Sequence, residues 1–553
     1  MFADSPVLLL VHSDFWVRHD LAAEIDRRLD GDLYVITAAG SDDAYTAING
    51  RPSMGQLLAI VIADEKLFDG DGETLLQGIR QSHPGTALAL LTDQNGMADD
   101  GIFRISSSPT SLQAAVGSLL KAWRPVNPRV RVTGPDDTCK ADELRSIFHC
   151  ISTIYTWDPT PGMDIEVSVD GRKSIPNPTL EELYRELEFF RPTEHELSHP
   201  YDLVIVGAGP AGLSAALSAS VNVGLSTLVV ESHIPGGKAS TSINPIDNYL
   251  GFPQGVAGAK LAKLALQQIQ SLDLVHFLPT LRAQSLEEDA DAPGRYLVGV
   301  VNSSNGAEAK VSAGMVLLAS GERPNELQLK KKHLPVRGVY YSALPCDQQR
   351  EERKSVVIVG GGNSAGQAAL QFIQGGSAVT MVASRGFDRM SRKLQKAIDN
   401  DQRIVAFKKH QVTEFIGEQQ LREVKIEEVD GRSQNELDPI EASSAYILIG
   451  GTPDTKWLQK GKEKVRLNQN GYIKTDVFLK PRKGKLSFET SLPGVFAAGD
   501  VRVNSLCRVG QAVGQGVAAV ASMETYAAAN PKILIDDKSP AYIRVEVLRI
   551  TQP

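Results

Sequence analysis

Cysteine is scarce in this sequence and scattered where it occurs. The 553 residues contain four, Cys139, Cys150, Cys346 and Cys507, none in Cys-x-x-Cys spacing. That excludes a dense disulfide framework and leaves no zinc-ligand pattern, so no metal site is expected. Long apolar runs are missing as well. None approaches the ~20 residues that span a bilayer, and Val7 to Val11 is too short for a signal-peptide core. The expectation is no membrane partner and a cytoplasmic location. An excess of positive charge is also absent. The formal net charge is −8, which gives no electrostatic reason for nucleic-acid binding. Lys330-Lys331-Lys332 is a short basic cluster that reads as a solvated loop. Charged residues at 22% and hydrophobic residues at 42% exclude a disordered chain.

A chain this long exceeds what one hydrophobic core serves, and three or four domains are expected. Residues 1–124 alternate short apolar runs (Val7 to Val11, Leu33 to Ile36, Leu58 to Ile62, Ala87 to Leu91) with helix-like stretches. That alternation predicts an α/β fold with a parallel sheet. Pro125 to Pro128 marks a boundary. Residues 129–197 then form a small segment with a strand candidate at Met163 to Val169 and a charged helix at Leu180 to Phe190. A tail, residues 527–553, contains Tyr542 to Leu548, which alternates like an edge strand.

The densest signal begins at residue 201. A buried-strand candidate, Asp202 to Val206, leads directly into Gly207-Ala208-Gly209-Pro210-Ala211-Gly212 and an Ala/Leu-rich helix. Gly207 permits a tight turn, Gly209 lets backbone approach a pyrophosphate, and Gly212 lets helix pack on strand. The helix N-terminus then offers N–H groups and its positive dipole end to phosphate. Glu231 closes the next strand, near the ~20-residue offset of an acid that hydrogen-bonds a ribose.

The pattern returns at Gly360, 153 residues after Gly207. Ser355 to Val359 precedes Gly360-Gly361-Gly362-Asn363-Ser364-Ala365 and a second Ala-rich helix. Two such units suggest an electron donor and a flavin facing each other. The strand after the second unit ends in Ala383-Ser384-Arg385 without a carboxylate. Ser384 and Arg385, with Arg389 nearby, favour a 2′-phosphate and so NADPH over NADH.

Across residues 201–526 the sequence resembles the thioredoxin reductase family. The resemblance rests on Pro235-Gly236-Gly237, Ile246 to Pro253 with Asn248, Ala319-Ser320-Gly321, Ile449 to Thr455, Gly494 to Asp500 and Arg508-Val509-Gly510-Gln511-Ala512. It implies a three-layer ββα Rossmann-type FAD-binding domain in two parts, 201–330 and 451–526. An NAD(P)-binding domain of residues 331–450 lies between them. It implies FAD contacts from Gly207, Gly209, Pro210, Ala211, Gly212, Glu231, Gly236, Gly237, Lys238, Asn248, Ser320, Gly321, Gly499, Asp500, Arg508, Gln511 and Ala512. NAD(P) contacts would come from Gly360, Gly362, Asn363, Ser364, Ala365, Ser384 and Arg385. The resemblance also implies that the two nucleotide domains rotate relative to each other when NAD(P)H reduces FAD, with hinges near Gly321 to Gly338 and Gly450 to Pro453. It implies a homodimer too.

Two departures from the family pattern stand out. Lys238 replaces a glutamine, and its charge either stabilises anionic reduced flavin or points to solvent. Where the family carries Cys-Ala-Thr-Cys, this chain reads Tyr341-Ser342-Ala343-Leu344-Pro345-Cys346. Counted back from Gly360, Cys346 falls at the second cysteine; counted forward from Gly338, it falls one place late. The usual exchange needs an attacking thiolate and a resolving partner. A lone cysteine cannot complete that cycle. Cys346 therefore reads as a relic beside the flavin ahead of a candidate catalytic thiol making a charge-transfer contact or mixed disulfide, and Cys507 is a distant second candidate.

Residues 1–124 resemble a response-regulator receiver, a flavodoxin-like fold. Asp64 sits at the phosphoacceptor position and Thr92 at the switch position. The metal-holding acidic pair is replaced by His12-Ser13 before Asp14, and the late lysine is missing in Ser106-Ser107-Ser108-Pro109. A pseudo-receiver used for docking or dimerisation is expected. Residues 129–197 resemble a degenerate thioredoxin- or glutaredoxin-like domain with Cys139 alone. The whole implies an FAD-dependent NAD(P)H oxidoreductase with an unknown acceptor, such as a quinone, a ferredoxin-like protein or oxygen. Two alternatives remain open: a disulfide reductase using Cys346 with another thiol, and a flavin-bearing sensor signalling through the receiver-like domain.

Overall fold

Apolar runs bounded by turn residues become buried strands, and the periodic stretches between them become helices. The computed structural model describes residues 7–18, 21–22, 34–49, 58–92, 96–97, 101–105, 130–136, 138–151, 153, 155–160, 164–169, 171–187, 197, 199–253, 255–329, 337–429, 437–459, 464–475 and 486–535. They fall into two units. The first comprises Met1–Ala141, Ser152–Asn177 and Pro245–Lys260; the second comprises Asp142–Ile151, Pro178–Asn244 and Leu261–Pro553.

In the first unit, β1 (Val7–Val11), β2 (Tyr34–Ala38), β3 (Leu58–Asp64), β4 (Ala87–Leu91) and β5 (Phe103–Ile105) form a parallel sheet. Its spatial order is β2-β1-β3-β4-β5, continued by a two-residue antiparallel edge at Gly96–Met97. Both faces of β1, β3 and β4 are buried, which is why these strands read as continuous Val/Ile/Leu/Ala runs. Helix Gly72–Ser82 is capped by Asp71, whose carboxylate accepts from the Glu73 and Thr74 N–H groups. A second, four-stranded sheet orders Tyr155–Pro159, Val130–Gly134, Glu166–Val169 and Ile175–Pro176, with only the first pair parallel.

In the second unit, Val275–Leu278, Thr227–Val230, Tyr201–Val206 and Glu308–Leu318 run parallel, and Val495–Ala497 joins Glu308–Leu318. Leu281–Glu288 and Tyr296–Asn302 extend it as an antiparallel meander. The other large sheet orders Val339–Tyr340, Ser444–Ile447, Ser355–Val359, Ala378–Ala383 and Ile404–Lys408, all parallel. A three-stranded antiparallel sheet, His410–Ile416 to Ile440–Glu441, flanks it. Two chain crossings link these sheets, Glu322–Pro324 and Gly451–Pro453, and they pair with each other antiparallel.

The charged helix at 180 spans Leu180–Glu186 with Leu187 as C-cap, and the rest of the expected helix, residues 188–190, lies outside the described residues. Helix Val509–Ala529 runs past residue 526, and the chain to Ile535 folds back on the first strand. There the buried Asp202 accepts from the Ser226 and Ile535 N–H groups at 3.0 and 2.8 Å. The Arg295 guanidinium donates to the Tyr201 carbonyl at 2.8 Å and to the Ile533 carbonyl. Lys330 to Lys332, Ser106 to Pro109 and Tyr542 to Leu548 lie outside the described residues. Among the described residues no helix is long and apolar enough to cross a membrane.

Candidate functional site

The first glycine loop is shaped by three glycines with different surroundings. Gly207 has φ +107°, and a Cβ there would sit 2.5 Å from the Ala319 carbonyl oxygen. A Cβ on Gly212 would lie 1.9 Å from the Gly207 oxygen, so only glycine lets the helix pack this close. Gly209 is the reverse case. It is the N-cap of helix Pro210–Ser218, and its Cβ would meet no protein atom within 4 Å. No side chain caps this helix. Its first N–H groups and positive dipole end thus have space in front of them that fits a pyrophosphate. Glu231 ends the neighbouring strand; its carboxylate accepts from the Ala208 N–H at 2.8 Å and the His233 N–H at 3.0 Å.

Further predicted residues gather on the same loop. The Gly236 N–H donates to the Ala208 carbonyl at 2.7 Å, and a Cβ on Gly237 would sit 3.3 Å from Gly209 Cα. Gly499 has φ +79° and packs over Ala211, while Gln515 accepts from its N–H at 2.8 Å. Next to it, Asp500 accepts from the Ser505 hydroxyl at 2.7 Å, and Gln511 accepts from the Leu506 N–H at 2.7 Å. Arg508 is the exposed N-cap of helix Val509–Ala529, and Ala512 is buried beneath it. The Ser320 hydroxyl donates to the Asp454 carbonyl at 3.1 Å, and Gly321 turns with φ +61°. Asn248 is exposed on Pro245–Lys260, a segment of the first unit. The set fits FAD: an open helix terminus for phosphate, Glu231 for a ribose and Asp500 for hydroxyl donors.

The second glycine loop repeats this design. A Cβ on Gly360, at φ +147°, would lie 2.3 Å from the Leu448 oxygen, and one on Gly361 would lie 2.0 Å from the Gly386 oxygen. Gly362 is the uncapped N-cap of helix Asn363–Gln374, with no protein atom within 4 Å of its Cβ position. The Asn363 side chain accepts from the Ser391 N–H at 2.8 Å, fixing the turn that follows Arg385 and Arg389. Ala365 is buried against the sheet, whereas Ser364, Ser384, Arg385 and Arg389 are exposed. Exposed arginines beyond the strand end fit an added phosphate better than a neutral hydroxyl.

Around Lys238 the structure shows partners that the sequence hides. The Lys238 ammonium donates to Glu322 at 2.8 Å, and the Tyr472 hydroxyl donates to the other Glu322 oxygen at 2.7 Å. Desolvation works against the Lys238 charge, but the Glu322 carboxylate outweighs it and raises the lysine pKa. The Glu322 and Asp500 carboxylates and the Cys507 sulfur all lie within 4.8 Å of one another. Burial and then the Asp500 and Glu322 charges push the Cys507 thiol up, which disfavours the nucleophilic thiolate. Nothing short-range in the sequence marks Glu322 or Tyr472, because their encounter joins residues 150 apart.

At the position of the family's dithiol, Ala343 is buried in an apolar cluster with Ile243, Phe372 and Tyr446. Cys346 lies in helix Pro345–Arg350, but its side chain falls outside the described residues. The same holds for the Cys139 side chain. Cys150 is buried and free, and burial pushes its thiol up to about 12. In the first unit His12 Nε2 stands 3.7 Å from the Asp64 carboxylate at the end of β3.

Residues 201–531 match the family described as pyridine nucleotide-disulphide oxidoreductase. The thioredoxin reductase of Bacillus subtilis is 31% identical over 329 residues, which cover 59% of this chain and 94% of that protein. A Clostridium pasteurianum protein described as a 34.2 kDa protein in rubredoxin operon is 28% identical over 327 residues. That match covers 59% of this chain and 96% of the relative. Among solved structures, Lactococcus lactis thioredoxin reductase is alike in fold, with TM-score 0.50 at 23% identity, covering 60% of this chain and 99% of that one.

Proposed function

This chain belongs to the pyridine nucleotide-disulphide oxidoreductase family, and on that premise we propose that it is an FAD-dependent NAD(P)H oxidoreductase that works without an internal dithiol. The observation that carries this reading is the pair of uncapped helix termini, each behind a glycine whose Cβ position is open. Bound FAD would supply two-electron chemistry, accepting from a reduced nicotinamide and giving to an acceptor. The chain's own residues do the holding. Gly209 and the helix it caps take the pyrophosphate, Glu231 a ribose, and Asp500 and Gln511 the ribityl and ring end. Gly362 and its helix take the second nucleotide, with Arg385 and Arg389 meeting a 2′-phosphate and favouring NADPH.

Neither Ser342 nor Ala343 can form a disulfide, and the Cys507 thiol is held toward its protonated form. Electrons therefore leave for an acceptor other than a protein dithiol, of the quinone, ferredoxin-like or oxygen class. The division into residues 201–330 and 451–526 for FAD and 331–450 for NAD(P) follows the two large sheets, and the protein acts as a cytoplasmic homodimer. Residues 1–124 serve as a pseudo-receiver. The β2-β1-β3-β4-β5 order is that of flavodoxin-like sheets, and His12 faces Asp64 where a metal-binding acid would stand. The βαβ unit and antiparallel pair of residues 129–197 support a degenerate thioredoxin-like fold.

The test is anaerobic titration of the yellow protein with NADPH and, separately, NADH, following absorbance near ~450 nm. Bleaching by NADPH at lower concentration than NADH is expected. Retained FAD that neither nucleotide bleaches would overturn the enzyme reading in favour of a flavin-bearing sensor.

A further inference from the structure

Helix Cys139–Cys150 presents Asp142 to the nucleotide sheet that starts at Val339. Only 6% of Asp142 is accessible, yet it is fully engaged. Its carboxylate accepts from Arg337 Nε at 2.8 Å and Nη2 at 3.1 Å, and from the Tyr340 hydroxyl at 2.8 Å. Arg350 Nη1 stands 3.3 Å away, and Arg145 Nη1, on the same helix, 3.6 Å. Burial alone would push the Asp142 carboxyl up, but the Arg337 hydrogen bonds and the Arg350 charge hold it below the usual carboxylate range. Arg350 is itself locked, to Asp347 at 3.0 Å, to Glu351 at 2.9 Å and over the Tyr340 ring at 4.2 Å. Arg337 precedes Gly338 at the end of the predicted hinge, so Asp142 grips the base of that connection.

The other end of the same segment holds the other nucleotide sheet. The Cys150 thiol donates to the Ser240 carbonyl at 3.7 Å, in the short helix Gly237–Ser240 that Gly236 starts and that carries Lys238. On helix Leu180–Glu186, the Tyr184 hydroxyl donates to the His233 carbonyl at 3.1 Å. Glu181 accepts from the Asn302 side-chain amide at 3.1 Å. The two helices thus reach the flavin-side loop and meander on one flank and the Arg337–Arg350 segment on the other. Every one of these contacts lies in the second unit.

We propose that helices Cys139–Cys150 and Leu180–Glu186 form an internal strap across the two nucleotide-binding sheets, with Asp142 as the positioning residue that latches it. While the strap is fastened, Ile243 of the flavin-side segment stays in one buried apolar cluster with Ala343 of the nucleotide domain. Turning that domain about the paired crossings Glu322–Pro324 and Gly451–Pro453 requires the latch to open. The placement of the strap stands on the contacts alone; its effect on electron entry rests on the oxidoreductase reading above.

Amide hydrogen exchange on the full-length protein with FAD, comparing wild type, Asp142→Asn and Arg337→Gln, tests the strap. The second variant leaves Asp142 with Arg350 and Tyr340 as partners, so the test survives if Asp142→Asn fails to fold. Exchange is expected to rise at the distant segments 237–244, 321–325 and 450–454 together, as well as at 337–350. An increase confined to 337–350 would mean a local contact only and would overturn the strap. The rate of anaerobic flavin reduction by NADPH is expected to change by roughly 5- to 150-fold, the span of ordinary coupling between sites, and an unchanged rate in both variants would refute the effect on electron entry. If NADPH reduces none of the proteins, the oxidoreductase reading fails, while the exchange pattern still decides the strap.

Discussion

Replacing Gly209 with alanine should separate cofactor binding from folding. Gly209 has φ −75° and ψ −178°, extended backbone that alanine adopts without strain. The new methyl meets no protein atom within 4 Å. Removing glycine's freedom in the unfolded chain stabilises by about 0.4–1 kcal/mol, and alanine's weaker N-capping offsets a similar amount. The apoprotein should therefore melt within about 2–4 °C of wild type, the shift that 1 kcal/mol gives a domain of roughly 150–250 residues. The same methyl would stand where a pyrophosphate approaches. Losing one charge-assisted hydrogen bond costs about 1.5–3 kcal/mol, so FAD affinity should fall roughly 10- to 150-fold per bond lost. Apoprotein melting and FAD fluorescence titration measure the two quantities independently. Gly212→Ala is the contrast. Its methyl would lie 1.9 Å from the Gly207 oxygen, so apoprotein stability should drop with the affinity. Wild-type FAD affinity in Gly209→Ala would refute the placement of the phosphates at this helix.

Arg385→Ser should raise the KM for NADPH and leave that for NADH nearly unchanged, narrowing the preference in steady-state assays. Because the Asp142 pKa is lowered by folding, its contribution is present above the unfolded value of about 3.9 and is lost as pH falls through the lower folded value. The stability gap between wild type and Asp142→Asn, read by denaturant titration, should thus be constant near neutrality and shrink below about pH 4. Asp202→Ala leaves the Ser226 and Ile535 N–H groups without their acceptor, which costs about 1–3 kcal/mol for each one that stays buried. Melting of the FAD-loaded protein would show it. Asp64 should accept no phosphoryl group from a small phosphodonor with Mg²⁺, as read on a phosphate-affinity gel.

The elements that the sequence announced most clearly are those governed by neighbours in the chain. Strand and helix are not confused where an apolar run such as Leu203 to Val206 is followed at once by Gly207 and Gly209. Strand, turn and helix terminus are then written within about a dozen residues, the span of a βα unit. The position of Glu231 beside the first glycine loop was legible for the same reason, through its fixed offset. The Lys238–Glu322–Tyr472 group and the Asp142 latch were not, because they join residues 84 to 208 positions apart whose types are ordinary on any surface. The thiols divide likewise. That Ser342 and Ala343 cannot pair is a matter of composition, whereas the acidic surroundings of Cys507 exist only once Glu322 and Asp500 have met.

The strand Val495–Ala497 lies beside Glu308–Leu318, with Leu318 matched to Ala497. During synthesis the ribosome must add 179 residues after the first of those partners to reach the second, roughly 9–36 s of elongation at ordinary rates. Through that interval the first glycine loop exists without Gly499, Asp500 or the helix that packs on Ala211. On the proposed reading, flavin capture is therefore a late event in the life of each molecule, and the domain inserted between the partners has time to fold first. Yellow colour in a nascent-chain preparation would appear only after the codons for Gly499 to Ala529 had been read and that stretch had cleared the exit tunnel.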